Sequence, residues 1–254
     1  MRTNVSAVVI VERPKVVYCP LTRKYVMWFH LDHRQEAKPH YHWRLVAVAT
    51  AEHPNGPFHL HHAFHPSGLP SLDVTLYQLP ADDDAGNKAH DVFLVRAIDN
   101  KYIGASKLRP DFLDVADSSV AILTAGKREA PALFRCGGIY RLLVTETDGW
   151  NPTRVHLLNG SIGLTSPDAF SGRAVRKNGR MSPQTALFTE AKTITPPGVT
   201  SSFDSQVRTQ ACVRQLLVSP KCSRSIISLC CSMFCLLLFP RTFAVLTVLV
   251  RKAR

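Results

Sequence analysis

The sequence predicts an all-β protein of the β-propeller type, and two observations carry this prediction. Short apolar runs rich in branched and aromatic residues alternate with turn-rich segments through the first 150 residues, a pattern typical of successive antiparallel strands. An acidic residue also opens an apolar strand, a polar turn and a second apolar strand three times, at Glu12, Asp73 and Glu129. Their spacings of 61 and 56 residues are close to the roughly 40 to 50 residues of propeller repeats once loop insertions are allowed for.

The first unit contains about four predicted strands. Residues 12–18 lead through a polar turn into residues 25–29, and residues 43–50 form the next apolar run. The Pro-Asn-Gly-Pro turn at 54–57 then introduces a further short strand. The apolar run at 5–11 is predicted to be an outer strand that enters this unit.

The second unit repeats this organisation. Its predicted strands are residues 73–77, 92–97, 102–106 and 119–124. Four-stranded units that return with an acid at one fixed place are the arrangement of propeller blades, whose first strands line a central channel.

The third unit begins with a hairpin that has an acid at its entrance. Residues 132–134 and 139–144 are apolar runs, and the Gly-Gly pair at 137–138 supplies the positive φ angles that a tight hairpin turn needs. Glu129 therefore lies at one end of a predicted strand.

The basic character of the chain is confined to its second part. Residues 1–150 carry 17 Lys and Arg against 16 Asp and Glu, whereas the remaining residues carry 14 against 3, so most of the net charge of +12 belongs to the tail. Five of the seven cysteines lie at or beyond residue 212, and no Cys-x-x-Cys pair occurs. These spacings favour neither a zinc site nor a readable disulfide framework.

The three acids predict chemistry if each unit contributes its first strand to the channel. Glu12, Asp73 and Glu129 would then share one cleft, and like charges in a small space raise the pKa of at least one carboxyl group. A carboxyl group with a raised pKa can donate a proton near neutral pH, as glycoside hydrolysis requires. The alternative, that these acids are strand-end residues facing water, stays open at this point.

Six segments resemble glycoside hydrolase family 43, most closely the branch of the exo-β-1,3-galactanases. The resemblance covers roughly residues 10–152, in the right order and with the right spacings. The segments are Glu-Arg-Pro-Lys-Val-Val-Tyr at 12–18, Lys-Tyr-Val-Met-Trp-Phe-His at 24–30, Pro-Asn-Gly-Pro-Phe at 54–58, Ser-Leu-Asp-Val-Thr-Leu at 71–76, Arg-Glu-Ala-Pro-Ala-Leu-Phe at 128–134 and Gly-Trp-Asn-Pro at 149–152.

This resemblance implies a five-bladed β-propeller that releases terminal sugars with inversion. It assigns Glu129 as the general acid, Asp73 as the carboxylate that tunes and orients that acid, and Glu12 as an acid that contacts the substrate. The usual aspartate base is missing in this branch, and Gln206 is a candidate for the glutamine that helps to position water. Trp150 ends the hairpin that begins with Glu129, so it is the best candidate for a sugar-stacking platform.

The sequence also departs from the family pattern. Only eleven residues precede Glu12, and the resemblance fades beyond residue 152, so we expect about three recognisable blades and a chain incomplete at both ends. Leu72 stands where the family commonly carries Arg, which removes a cation beside Asp73. We divide the chain into propeller blades at 1–152, a poorly matched later-blade region at 153–219 and a basic, Cys-rich apolar tail at 220–254.

Other candidate sites are weaker. His59 and His61 would lie on one face of a strand, but imidazoles in a turn-rich connection are more often surface residues, so we expect no metal site and no cofactor. For Trp28 and Trp43 we expect core packing in preference to sugar stacking.

The tail allows three interpretations. Residues 226–250 are apolar and precede a basic terminus, which suggests a membrane anchor, but Pro240 divides them into runs shorter than the roughly 20 residues that span a bilayer. Acid depletion and clustered cysteines favour a tail translated from an altered reading frame or an unspliced segment. Nucleic-acid binding is not predicted, because the basic residues lack the interleaved aromatic residues of a stacking surface.

The resemblance to glycoside hydrolase family 43 implies a glycosidase acting on a β-1,3-galactan or a related polysaccharide. The alternative is a catalytically inactive carbohydrate-binding or vestigial propeller fragment. We expect a monomer with a carbohydrate partner. The resemblance implies the secretory pathway or the extracellular space, although no clear signal peptide is recognised in the sequence.

Overall fold

The computed structural model describes residues 9–33, 41–79, 91–136, 138–148, 153–160 and 187–194. Within these ranges the chain forms three four-stranded antiparallel sheets, and each sheet has its strands in chain order from one edge to the other. Trp150, Gln206 and the tail at 220–254 lie outside the described residues.

The first two sheets match the first two predicted units. The strands of the first sheet are β1 (Val9–Cys19), β2 (Lys24–His33), β3 (Leu45–Ala51) and β4 (His59–Phe64). Those of the second sheet are β5 (Val74–Gln78), β6 (Val92–Ile98), β7 (Tyr102–Lys107) and β8 (Ala121–Ala125). Every neighbouring pair within a sheet is antiparallel, so each sheet is a four-stranded meander of the kind found in propeller blades.

The third sheet is completed by strands that the sequence did not reveal. The predicted hairpin forms β9 (Arg128–Cys136) and β10 (Ile139–Glu146), and Gly138 in its turn has φ = +80°. The two outer strands are β11 (Val155–Gly160) and β12 (Phe188–Ile194). Both lie beyond residue 152, so the third sheet continues into the region at 153–219 that we described as poorly matched later blades.

The three sheets are arranged as consecutive blades. The first strand of each sheet lies beside the next, since β1 contacts β5 and β5 contacts β9. The prediction of an all-β propeller-type fold with about three recognisable blades is therefore confirmed for the described residues. The separate outer strand predicted at 5–11 is wrong in its described part, because Val9 and Val11 continue β1 and pair with His33 and Leu31 of β2.

Two β-bulges interrupt the inner strands next to acidic residues. The register of β1 with β2 shifts between Glu12 and Lys15, and Arg13 in that bulge has φ = +56°. The register of β9 with β10 shifts after Glu129, where Ala130 has φ = +52°. Bulges bend a strand and redirect its side chains, so both acids project from irregular backbone.

The hydrophobic core lies between neighbouring sheets. One cluster packs the first sheet against the second, and another packs the second against the third. The largest fully buried apolar side chains of the two clusters are Trp28, Leu94, Phe93, Ile103, Leu123 and Leu142. Face-to-face packing of sheets buries alternate residues of each strand, which agrees with the apolar patterns in the sequence.

Trp28 joins the first two blades by a buried hydrogen bond. Its side chain is 0% exposed, and its Nε1–H donates to the carbonyl oxygen of Phe112 at 2.9 Å. We expect Trp28→Phe to lower the free energy of unfolding by about 1 to 3 kcal/mol, because it leaves a buried carbonyl group unpaired. Trp43→Phe is the matched control and should change stability by less than about 0.5 kcal/mol, since Trp43 is 38% exposed. Urea denaturation measures both, and equal losses would contradict this role for Trp28.

Candidate active site

The fold brings the three predicted acids together. Glu12 lies in β1, Asp73 immediately precedes β5, and Glu129 is the second residue of β9, so each acid belongs to the inner edge of its own sheet. The negative charges of Asp73 and Glu12 both raise the pKa of Glu129. Glu129 therefore lies close enough to the other two carboxyl groups to feel their charges, instead of facing water independently.

Asp73 links the three inner strands through one oxygen atom. Its Oδ2 accepts a hydrogen bond from the backbone N–H of Ala130 at 2.8 Å and lies 3.0 Å from Nη2 of Arg13. The positive φ of Ala130 directs that N–H group out of the β9 ladder and toward Asp73. Asp73 therefore holds the bulge that contains Glu129 and the bulge that contains Arg13.

The environment of Glu129 is that of a proton donor. Burial, the largest cause, together with the negative charges of Asp73 and Glu12, raises the pKa of Glu129 to about 7, and the positive charge of Arg13 opposes them. A substantial fraction of this carboxyl group is therefore protonated at neutral pH. Such a group can protonate a leaving oxygen atom as a general acid.

Arg13 supplies a cation beside Asp73 that was not predicted from the sequence. Leu72 stands where the family commonly carries Arg, which predicts the loss of a positive charge beside Asp73. The side chain of Arg13 reaches Asp73 from the first blade, with 28% of the Arg13 side chain and 21% of the Asp73 side chain exposed. Asp73 therefore has a cationic partner although position 72 is Leu, and this partner is 60 positions away in the sequence.

Glu12 is held by two partners from different segments of the first blade. Its Oε2 lies 3.0 Å from Nδ1 of His30 in β2, and its Oε1 accepts a hydrogen bond of 2.8 Å from the hydroxyl group of Tyr41. The Tyr41 ring stacks on the His30 ring with centroids 5.7 Å apart. Burial, together with the hydrogen bond to Glu12, raises the pKa of Tyr41, so its hydroxyl group stays a donor at neutral pH.

A second buried carboxylate lies behind His30. Asp32 is 0% exposed, and its Oδ2 lies 3.3 Å from Nε2 of His30. Backbone N–H groups of His33, Trp43 and Arg44 donate to its two oxygen atoms at 2.8 to 2.9 Å. Burial alone raises the pKa of Asp32, but these hydrogen bonds and His30 outweigh it and lower the pKa, so Asp32 is a carboxylate.

Asp32 and Tyr41 were not predicted as site residues from the sequence, and His30 was named only as part of the family motif. One signal was available, because His30 and Asp32 follow Trp28 at a spacing of two within an apolar strand, which places two polar side chains on its buried face. Tyr41 gave no comparable signal, since it follows a polar segment and reaches Glu12 only through the fold.

The two tryptophan predictions have different outcomes. Core packing is confirmed for Trp28, which is fully buried. It is wrong for Trp43, whose ring is 38% exposed and stacks on His33 with centroids 4.9 Å apart. Asp32 and His65 both bind the backbone of Trp43, and these bonds hold it in a loop that displays the indole.

The histidine-rich connection does not assemble a metal centre in the part of the chain that the structure describes. His59 and His61 are exposed on β4, and no group of three or more His, Cys, Asp or Glu side chains there could hold a metal ion. The same ranges contain no helix that is long and apolar enough to cross a membrane.

Solved structures of galactan-degrading enzymes are similar to this chain. The exo-β-1,3-galactanase from Phanerochaete chrysosporium, bound to β-1,3-galactotriose, is 29% identical with a TM-score of 0.53, and the match covers 63% of this chain and 34% of that one. The exo-β-1,3-galactanase from Clostridium thermocellum is 27% identical with a TM-score of 0.51, over 62% and 34% of the two chains. The resemblance to glycoside hydrolase family 43 is confirmed.

A β-1,3-galactosidase of family 43 also shares the fold. It is 20% identical with a TM-score of 0.53, and the match covers 72% of this chain and 71% of that one. This chain spans about a third of the length of the two exo-galactanases of family 43 described above. No protein-family model matches the sequence, and no curated protein sequence matches it.

Proposed function

We propose that this chain forms the acid side of a glycosidase site that releases terminal galactose, or a related sugar, from a β-1,3-linked polysaccharide. The observation that carries the proposal is the Glu129 carboxyl group, whose pKa is raised to about 7 by burial and by the neighbouring charges of Asp73 and Glu12. Hydrolysis of a glycosidic bond needs such a group, because the departing oxygen atom must receive a proton.

Each acid has a separate proposed role. Glu129 protonates the leaving oxygen atom, and Asp73 sets the proton affinity of Glu129 and orients it through the N–H group of Ala130. Glu12 accepts hydrogen bonds from hydroxyl groups of the sugar. Support comes from the exo-galactanase of Phanerochaete chrysosporium, which is 31% identical to this chain in its complex with galactose, with a TM-score of 0.52 and a match over 63% of this chain and 34% of that one.

Two further roles follow from the family resemblance. Trp150 would stack on a sugar ring, and Gln206 would position the water molecule that attacks the anomeric carbon. An inverting mechanism requires that this water approach the face opposite the general acid. The proposal assigns no carboxylate base, because Glu12 and Asp73 already accept hydrogen bonds within the protein.

A binding site without turnover is the second candidate function. The observation in its favour is that Glu12 and Asp73 both bind other groups of the protein. Among the described residues, no carboxylate beside Glu129 is therefore without a protein partner and free to act as the base. Such a site would recognise galactose but would not activate water.

Incubation of the full chain with β-1,3-galactotriose separates these functions. We expect release of galactose from the end of the trisaccharide, measured by anion-exchange chromatography. Proton NMR at early times should show α-galactose as the first product, because inversion of a β-linkage gives the α-anomer. Binding in calorimetry without release would favour the second function, and neither binding nor release by folded protein would overturn both.

A further inference from the structure

His30 connects two carboxylates across a single imidazole ring. Its Nδ1 lies 3.0 Å from Glu12 and its Nε2 lies 3.3 Å from Asp32, while its own side chain is only 1% exposed. A neutral imidazole carries one N–H donor and one acceptor nitrogen atom. Both contacts are therefore hydrogen bonds only if one further proton is present, on the ring or on a carboxyl group.

The surroundings restrict where that proton resides. Asp32 accepts three backbone N–H bonds and is a carboxylate, so the Nε2–H group of His30 donates to it. The contact between Nδ1 of His30 and Oε2 of Glu12 is then a hydrogen bond when a proton lies between these two atoms, which are 3.0 Å apart. The hydroxyl group of Tyr41 donates to the other oxygen atom of Glu12, so it does not compete for this position.

We propose that His30, oriented by Asp32, is a positioning residue that holds Glu12 for sugar binding through the hydrogen bond between Nδ1 of His30 and Oε2 of Glu12. A carboxylate offers about four lone-pair sites, and His30 and Tyr41 use two of them. The other two stay available in a fixed direction, since His30 is buried in β2 and the Tyr41 ring stacks on it. With 25% of its side chain exposed, Glu12 can accept two hydroxyl groups of one sugar ring.

This inference rests on the proposed function, because it assigns Glu12 to the sugar. Beyond that function, it assigns to the buried residues His30 and Asp32 the role of orienting Glu12 without contacting the sugar. The charges facing His30 are those of Glu12 in its own sheet and Asp32 in its own strand, and Tyr41 is the titratable group stacked on its ring. Arg13 is salt-bridged to Asp73, which makes it a partner of the other acid.

Two isosteres of histidine test each side of the ring separately. The amide nitrogen of Asn takes the place of Nδ1, so His30→Asn keeps a donor for Glu12. The amide of Gln takes the place of Nε2, so His30→Gln keeps a partner for Asp32 and loses the bond to Glu12. We expect His30→Gln to lower kcat/KM on β-1,3-galactotriose by about 10- to 100-fold, the effect of losing a hydrogen bond to a charged group. The loss should appear mainly as a higher KM, and His30→Asn should lose less than His30→Gln because it keeps the donor for Glu12.

A double-mutant cycle with Glu12→Gln separates positioning from general damage. If His30 acts through Glu12, His30→Gln should cost less than about twofold in kcat/KM once Glu12 has been replaced. His156→Gln is the matched control, because His156 is also buried between two carboxylates, those of Glu146 and Glu190 in the third blade. Its effect should add to that of Glu12→Gln. Additive effects for His30 would overturn the inference.

An NMR measurement makes the test independent of turnover. The Hδ1 proton of His30 should give a downfield resonance protected from exchange in the wild type, and Glu12→Ala should abolish it. If this resonance is present and the wild type neither binds nor cleaves galactotriose, the contact exists but the proposed function fails. If it is absent from the wild type, the inference fails whatever the activity.

Discussion

Glu129→Gln is expected to lower kcat on β-1,3-galactotriose by about 10²- to 10⁴-fold, the usual contribution of general acid catalysis. The amide keeps the size and polarity of the carboxyl group but has no acidic proton to transfer. The departing sugar oxygen is a poor leaving group without that proton. Galactose release at pH 6, where the wild-type Glu129 is mostly protonated, is the appropriate measurement.

The leaving group provides the control for this variant. An aryl β-galactoside such as the 2,4-dinitrophenyl compound departs without protonation, so Glu129→Gln should lose much less activity on it. Comparable losses on both substrates would contradict the assignment of Glu129 as the general acid, because a residue that only binds sugar affects both substrates alike.

Glu129→Gln should lower activity without lowering the free energy of unfolding. The folded protein raises the pKa of Glu129 from 4.5 to about 7, so between these values the folded state binds more protons than the unfolded state. The free energy of unfolding of the wild type therefore falls as the pH rises through this window. Glu129→Gln lacks this titration and should be at least as stable as the wild type above pH 7. Thermal unfolding across pH 4 to 8 measures the difference, and a variant that loses stability together with activity would not test catalysis.

The inner strands and the positions of the three acids could be predicted from the sequence, because the alternation of apolar runs and turns is a local pattern. Glu12, Asp73 and Glu129 each stand before an apolar run in a repeated context, and the fold places them on or immediately before the inner strands of three blades. The outer strands of the third blade were not predicted from the sequence. Residues 161–187 separate β11 from β12, and neither strand follows a repeat of the acid-and-hairpin pattern.

The partners of these acids could not be predicted in the same way. Arg13 reaches Asp73 across 60 residues, and Tyr41 reaches Glu12 across 29. Both contacts depend on backbone with positive φ, at Arg13 and at Tyr41 themselves, where no glycine marks the irregularity. The sequence shows that His30 and Asp32 are polar residues within an apolar strand. It does not show that His30 lies between Asp32 and Glu12, because that arrangement depends on the pairing of β1 with β2.

Asp73→Asn should move the alkaline limb of the pH–rate profile to lower pH. The general acid must be protonated, so the wild-type kcat falls as the pH rises through the Glu129 pKa of about 7. After burial, the charge of Asp73 is the next largest cause of that raised pKa, and Arg13 opposes it. Removing the Asp73 charge also leaves Arg13 unneutralised, so both changes lower the pKa of Glu129. At pH 7 we expect kcat to decrease by about 10- to 100-fold, as less of the acid carries its proton.

The substitution is conservative for the backbone, because the amide oxygen of Asn can still accept the N–H group of Ala130. Asp91→Asn is the matched control, since Asp91 pairs with Lys107 in the same blade and does not contribute to the pKa of Glu129. Its profile should coincide with that of the wild type. An alkaline limb that stays in place in Asp73→Asn would contradict the tuning role of Asp73.

Arg13→Gln should shift the same limb in the opposite direction. The guanidinium group lowers the pKa of Glu129, so its removal should raise that pKa and extend activity to higher pH. Both variants break the same salt bridge. A loss of packing caused by the broken bridge would therefore shift the alkaline limb in the same direction in both, and opposite shifts cannot arise from it. The difference in sign therefore isolates the electrostatic contribution of each residue to the general acid.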